Sequence, residues 1–223
     1  MIKILNGTKT PISDIGKYAG TCWGTNTSDE SANYKRGMGC ISDMHGRTFE
    51  YPDLIMEIDG YSARVIREFY THVAGTTRLQ ESTRYVNCSD FKYYIPDSLI
   101  NHKDSRALLV YNLLMETISD AYKILDKDFK IPKEDIANIL PLGMSTKIVV
   151  KMNMRAILHM FEERTCNRAY IEFRELMKEM RKVISNYSEQ WKEVMNKFAV
   201  TKCDKLGYCP EHKGCGRYGH KEK

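Results

Sequence analysis

The order of two hydrophobic periodicities along the chain is the feature that most constrains its fold. Apolar and polar residues alternate in MIKIL at the start and, less regularly, in FEYPDLIMEID from Phe49, and a period of two is typical of strands. After Ser62 the apolar residues recur every three or four positions, as in Val65, Ile66 and Phe69, which is typical of a helix. Because strands precede helices without a regular alternation, the pattern favours an α+β fold over a doubly wound parallel sheet.

Three further segments carry a structural signal in their composition. Residues 20–48 are rich in Gly, Ser, Thr and Asn, which predicts an ordered loop with one short helix near residue 30. Residues 104–126 carry an apolar stripe too broad for an isolated surface helix, so we expect this helix to be deeply packed. Residues 145–198 are helical in composition, and a break is predicted at 165–167.

Composition excludes several classes of protein. With 42% hydrophobic and 28% charged residues, the 223-residue chain is neither collagen-like nor wholly disordered. No apolar run reaches the roughly 18 residues of a membrane span, and MIKILNGTKT has too short an apolar run for a signal peptide. The cysteine count of seven is odd and four of the cysteines are scattered singletons, which argues against a disulfide framework and for a reducing compartment. We therefore expect a cytoplasmic protein with no membrane partner.

The net charge leaves the ligand class open. Subtracting 29 Asp+Glu from 34 Lys+Arg gives +5, which suits a small anionic ligand as well as nucleic acid. Neither G-x-G-x-x-G nor G-x-x-x-x-G-K-[ST] occurs, so the two commonest phosphate-binding loops are excluded. Any phosphate must be held in another way.

Hydrogen-bond donors are densest in THVAGTTRLQESTRY, residues 71–85. Arg84 offers a planar fork for a phosphate, and Ser82 lies two residues before it, so both side chains would point to one side of an extended stretch. The composition therefore suits an anion site, and it equally suits a solvated loop that caps a helix.

A second polar cluster lies in KMNMRAILHMFEER, residues 151–164. On a helix, Arg155 and His159 share one face because they are four positions apart, and Asn153 and Arg164 flank that face. The alternative for His159 is a hydrogen-bonded histidine of the core.

Together these segments resemble the signature of the flavin-dependent thymidylate synthases. Ser82-Thr83-Arg84-Tyr85 matches the end of the family's Arg-His-Arg…Ser-x-Arg-Tyr motif. LPLGMSTKIVVKMNMRAILHMFEER, HGRTFEY and RAYIEFREL are similar to three further family motifs, and they follow in the family's order. The resemblance spans about residues 42–180, and it implies a small, mostly antiparallel sheet packed with several long helices.

The chain also departs from this signature. Thr71-His72-Val73 stands where the family has Arg-His-Arg, and eight residues rather than seven separate this triplet from Ser82. Ala137 stands where the family usually has a nucleotide-binding Arg. The sequence is therefore identified as a divergent branch.

The resemblance implies a reaction and a set of site residues. The reaction is the reductive methylation of dUMP to dTMP, with bound FAD and with NADPH and methylenetetrahydrofolate as co-substrates, in a homotetramer whose sites combine several subunits. Arg164 matches the catalytic cation beside the uracil. The residues implied for dUMP are Gln80, Ser82, Arg84 and Arg164, and those implied for the flavin are His45, Arg47, His72, Arg78, Asn153, Arg155 and His159.

Two alternatives remain open. One is a related one-carbon transfer to a pyrimidine nucleotide, such as hydroxymethylation of dUMP. The other is a non-enzymatic nucleotide- or nucleic-acid-binding relative, although we do not expect a nucleic-acid partner. Neither Cys88 nor Cys166 lies in a Pro-Cys-His context, so both are interpreted as structural thiols.

We expect a single catalytic domain over residues 1–200 and a Cys-rich tail over residues 201–223. Cys203, Cys209 and Cys215 lie six positions apart and lack the C-x-x-C spacing of a standard zinc finger. With His212, His220 or Cys166 they would form a candidate structural zinc site that attaches the tail to the core. The alternative is a flexible tail with free thiols.

Overall fold

The computed structural model describes residues 1–221, in which the chain forms four β-strands, ten α-helices and two short 3-10 helices. In chain order they are β1 Ile2–Gly7, α1 Pro11–Cys22, α2 Glu30–Ser42, a 3-10 helix Gly46–Glu50, β2 Asp53–Ser62, α3 Ala63–Phe69, β3 Thr76–Gln80, α4 Asp97–Ile100, α5 Arg106–Lys127, α6 Lys133–Ile136, a 3-10 helix Ala137–Ile139, β4 Ser145–Asn153, α7 Met154–Arg164, α8 Ile171–Ser185, α9 Glu189–Lys197 and α10 Lys202–Leu206. Among residues 1–221, none of the helices combines the length and hydrophobicity that crossing a bilayer requires.

The four strands form one antiparallel sheet in the order β1-β2-β4-β3. Buried residues alternate with less buried ones along β2 and β4, so each strand has one apolar and one polar face. The prediction of an α+β fold with a small antiparallel sheet is confirmed. The helical interpretation of residues 145–153 is wrong, because TKIVVKM alternates with period two and contains the β-branched residues that favour strands.

The described residues divide into two compact units, and each has its own packing. The first unit comprises Met1, residues 58–71 and residues 79–148. The second unit comprises residues 2–57, 72–78 and 149 onward.

The first unit is built on the long helix α5. Tyr122 of α5 packs in a cluster with Cys88, Ile136 and Met144. Burial raises the pKa of the Cys88 thiol, in agreement with a structural role. Apart from Met115 and Tyr122, however, the residues of α5 are not buried. The deep packing that the apolar stripe of α5 predicts is therefore not found among residues 1–221.

In the second unit, α1 and α2 approach closely through glycine. A Cβ on Gly37 would lie 1.8 Å from the carbonyl oxygen of Ile12, and one on Gly16 would lie 1.8 Å from that of Asn33. Asp29 caps α2 by accepting hydrogen bonds from the N–H groups of Ser31 and Ala32. The prediction of one short helix in a loop is wrong here, because the glycines that lower helix propensity permit close packing of a thirteen-residue helix.

Candidate active site

The start of α7 is fixed by Asn153, which ends β4 and caps the helix. Its Oδ1 accepts a hydrogen bond of 2.9 Å from the Ala156 N–H, and its own N–H donates at 2.9 Å to the Gly75 carbonyl. Gly75 has φ +71°, and a Cβ there would lie 2.4 Å from Asn153 Oδ1. Position 75 therefore requires glycine for both its conformation and its space.

Within the second unit, the cap residue Asn153 and the α7 residues Arg155 and His159 line a cavity of about 970 Å³, called here the large cavity. Its other walls include the apolar side chains of Met44 and Phe49. His159 is exposed, so it is not the hydrogen-bonded core histidine that the alternative interpretation describes. The large cavity thus combines apolar walls with hydrogen-bond donors that share one helix face.

The Arg155 guanidinium is held at the wall of the large cavity by Glu50. Arg155 Nη1 lies 2.7 Å from Glu50 Oε1, and both side chains remain partly exposed. His45 and Arg47, from the same HGRTFEY segment as Glu50, are exposed and lie outside the wall of the large cavity. Sequence reasoning missed Glu50, although this motif contains it.

Arg164, the last residue of α7, lies in a compact cluster with two rings. Its Nε donates a hydrogen bond of 2.9 Å to Nε2 of His72, and its guanidinium carbon lies 4.9 Å from the centre of the Phe173 ring. The His72 ring also meets the His159 ring edge-on, with centroids 5.8 Å apart.

His72 is neutral in this cluster. Burial, followed by the positive charge of Arg164 and the nearby His159, lowers its pKa to about 4. Nε2 therefore carries the lone pair that accepts from Arg164, and Nδ1 carries the proton. Arg78 Nη1 donates at 3.2 Å to the His72 carbonyl, so it contacts the backbone of the same residue. The placement of His72 shows a contact with Arg164, while its assignment to the flavin stays a prediction.

The three residues predicted to bind dUMP from the 71–85 segment lie in the first unit. Gln80 Nε2 lies 3.4 Å from the Thr146 hydroxyl, and Arg84 Nε pairs with Glu134 at 3.1 Å on an exposed surface. The Ser82 carbonyl accepts from the N–H groups of Tyr85 and Val86, which makes this segment a turn. The expected extended stretch is therefore wrong, because the chain reverses directly after Ser82.

Within residues 201–221, the thiols of the tail are not gathered into a metal-binding group. Among residues 1–221, no group of three or more His, Cys, Asp or Glu side chains is arranged to hold a metal ion. The thiols differ in environment: Cys203 contacts the Thr201 hydroxyl, Cys209 is buried, and exposed Cys215 lies 3.7 Å from the Asn167 amide. Residues 222 and 223 of the predicted tail lie outside the described residues.

Solved structures with the same fold come from two kinds of nucleotide-modifying enzyme. A flavin-dependent thymidylate synthase from Helicobacter pylori, complexed with FAD and dUMP, aligns with a TM-score of 0.66 at 17% identity and covers 86% of this chain and 98% of that one. A UMP/dUMP methylase from Streptomyces cacaoi, bound to 5-Br dUMP, aligns with a TM-score of 0.72 at 15% identity and covers 90% and 97%. At these identities the likeness shows the fold.

The sequence comparisons show the family. A family model described as "Thymidylate synthase complementing protein" matches residues 3–187. The chain is 31% identical over 208 residues to the flavin-dependent thymidylate synthase of Nitratidesulfovibrio vulgaris, covering 88% of this chain and 82% of the relative. It is 33% identical over 181 residues to that of Pyrococcus horikoshii, covering 77% and 70%. The chain therefore belongs to the flavin-dependent thymidylate synthase family and is an enzyme of the methyltransferase class.

Proposed function

We propose that this enzyme binds FAD and converts dUMP to dTMP, using methylenetetrahydrofolate as the carbon donor and NADPH as the reductant. The observation that carries the proposal is the Arg164–His72 hydrogen bond, on the same helix that lines the large cavity. Family membership supports the reaction class. We further propose that the enzyme works in the cytoplasm as a homotetramer.

The residues of the large cavity fit FAD. Its volume of about 970 Å³ lies in the range of cofactor sites, and its apolar side chains suit a flat ring system. The Asn153 amide, the Arg155 guanidinium and the His159 imidazole supply the polar contacts that orient such a ring. When bound, FAD would supply the reducing equivalents of the methylation. His45, Arg47, His72 and Arg78 remain proposed flavin contacts that a second subunit would bring into use.

Arg164 is proposed as the catalytic cation. Carbon 5 of uracil becomes nucleophilic as negative charge develops on the ring, and a fixed guanidinium beside N3 and O4 stabilises that charge. Neutral His72 accepts from Arg164 Nε, so it orients the guanidinium without adding a second positive charge. Because no cysteine adds to the uracil in this proposal, it agrees with the buried and inert Cys88.

Ser82 and Arg84 are proposed to hold the phosphate and sugar of dUMP, with Gln80 beside them. Arg84 is exposed and pairs with Glu134 through Nε, and a guanidinium carries further donors that suit a phosphate. The exposed apolar stripe of α5 supports the homotetramer, because a second copy of the chain would bury it.

Tritium release from 5-tritiated dUMP tests the reaction. With FAD, NADPH and methylenetetrahydrofolate present, we expect tritium release and a product about 14 Da heavier than dUMP. A product about 30 Da heavier would show that the enzyme hydroxymethylates dUMP instead of methylating it. A chain that binds FAD and releases no tritium would contradict the proposed substrate, and one that binds no FAD would favour the non-enzymatic alternative.

A further inference from the structure

The large cavity has one wall that lies outside the family match. The match ends at residue 187, and we call residues 188–221 the C-terminal extension. Lys197, Phe198 and Val200 line the large cavity, and so do Asp204 and Lys205 of α10. A segment that the family model does not describe therefore takes part in this site.

The C-terminal extension also contributes two lysines, Lys197 and Lys205, to the wall of the large cavity. Lys197 pairs with Glu193 at 2.7 Å, and Arg155 of α7 pairs with Glu50. The carboxylate of Asp204 is directed to its own segment, where it accepts from the Thr201 hydroxyl, Arg217 and the Tyr218 hydroxyl. These hydrogen bonds satisfy the Asp204 charge, so the carboxylate that pairs with Lys205 is Glu162.

Lys205 is held in place by local structure. Thr201 and Asp204 form a capping box at the start of α10, and Gly207 ends it with φ +76°. Lys205 Nζ lies 2.6 Å from Glu162 Oε1 on α7. An ammonium group has three donors, so Lys205 can keep this contact and donate to a second anion. Because the Lys205 side chain is already held in place, ligand binding costs little further side-chain entropy.

We infer that Lys205 binds the diphosphate of FAD in the large cavity, which makes the C-terminal extension part of the cofactor site. The inference rests on the proposed function, because FAD is the ligand that the proposal places there. A compact ammonium charge suits a phosphate oxygen.

Flavin titration of three forms of the full chain tests this inference. We expect Lys205→Ala to raise the FAD dissociation constant about tenfold, the effect of one charge-assisted hydrogen bond. Lys202→Ala is the matched control, since Lys202 is on the same helix, pairs with Glu163 at 3.5 Å and lies outside the wall of the large cavity. We expect its FAD affinity to stay within about twofold of wild type.

Riboflavin, which has no diphosphate, separates the loss of a diphosphate contact from a structural effect of the substitution. We expect Lys205→Ala to bind riboflavin as well as wild type does. Equal FAD affinity of wild type and Lys205→Ala would overturn the inference and leave the proposed function intact, and so would an equal loss of FAD and riboflavin affinity. Lys205→Gln, which keeps most of the side chain, should repeat the selective loss of FAD affinity. A wild-type chain that binds neither flavin would overturn the proposed function, and the inference with it.

Discussion

Helices α5 and α7 both carry apolar stripes, yet the chain buries most of the stripe of α7 and little of that of α5. In α7, six of eleven residues are buried, and the five that are not are Arg155, His159, Glu162, Glu163 and Arg164. In α5, only Met115 and Tyr122 of twenty-two residues are buried. Leu109, Val110, Leu113 and Leu114 are between 55% and 65% exposed. The contrast shows that an apolar stripe predicts burial but does not indicate whether the residues that cover it belong to the same chain or to another.

Ile157→Ala and Leu113→Ala give the sharpest test of this contrast. Ile157 is fully buried in α7, so its truncation should lower the free energy of unfolding by about 2–5 kcal/mol. Urea denaturation at low protein concentration, where subunits separate, should show a loss below about 0.5 kcal/mol for Leu113→Ala. Equal losses for the two variants would mean that α5 is buried within its own chain.

Arg164→Ala tests the proposed catalytic role of Arg164, one of the unburied residues of α7. We expect tritium release to fall by about 10²–10³-fold, because the developing charge on the uracil loses its cation. The thermal unfolding midpoint should change little. The exposed Arg67 on α3 provides the control, since Arg67→Ala should keep activity within about twofold. Normal turnover in Arg164→Ala would refute its catalytic assignment.

Leu113→Glu tests the stripe of α5. A charge in an interface between copies is costly when it has no partner, so we expect the proposed tetramer to dissociate at concentrations at least tenfold higher than in wild type. Size-exclusion chromatography with light scattering measures the mass. Ile157→Ala should keep the wild-type mass, and an unchanged mass in Leu113→Glu would assign the α5 stripe to something other than self-association.

His72 gives the smallest effect, which depends on pH. Its pKa of about 4 lies below the ordinary 6.5, so between these values the unfolded chain binds a proton that the folded chain does not. The His72 contribution to stability is therefore complete above about pH 6.5 and is lost as pH falls towards 4. His72→Gln keeps an acceptor for Arg164 without titrating, so urea unfolding between pH 4 and 7 should show a shallower pH dependence for it. Identical pH dependences would contradict the buried, neutral state of His72.

Sequence reasoning found the residues of the site better than their surroundings. Arg155 and His159 were predicted to share one helix face and both line the large cavity, because a spacing of four positions places two side chains on the same face of a helix. The hydrogen bond from Arg164 to His72 joins residues 92 positions apart, and no local pattern records it. Lys205 was missed for the same reason.

The errors in the fold have physical causes too. In α2, glycine lowers the intrinsic helix propensity, and the close approach to α1 outweighs that loss. In β4, a long helical signal downstream obscured seven residues with a strand period. The error in α2 arises because packing against a distant segment decides the local structure, whereas the strand period of β4 is present in its own sequence.

The close packing of Gly75 against Asn153 affects how sequence variation at this site should be interpreted. In a saturation library selected for growth without thymidine, position 75 should return glycine alone, because every other residue would displace the Asn153 side chain that begins α7. An invariant residue beside a binding site is commonly taken as a ligand contact. Here the invariance would arise because a side chain at position 75 has no room. An alignment of the family would therefore overstate the number of positions that are conserved for binding or catalysis.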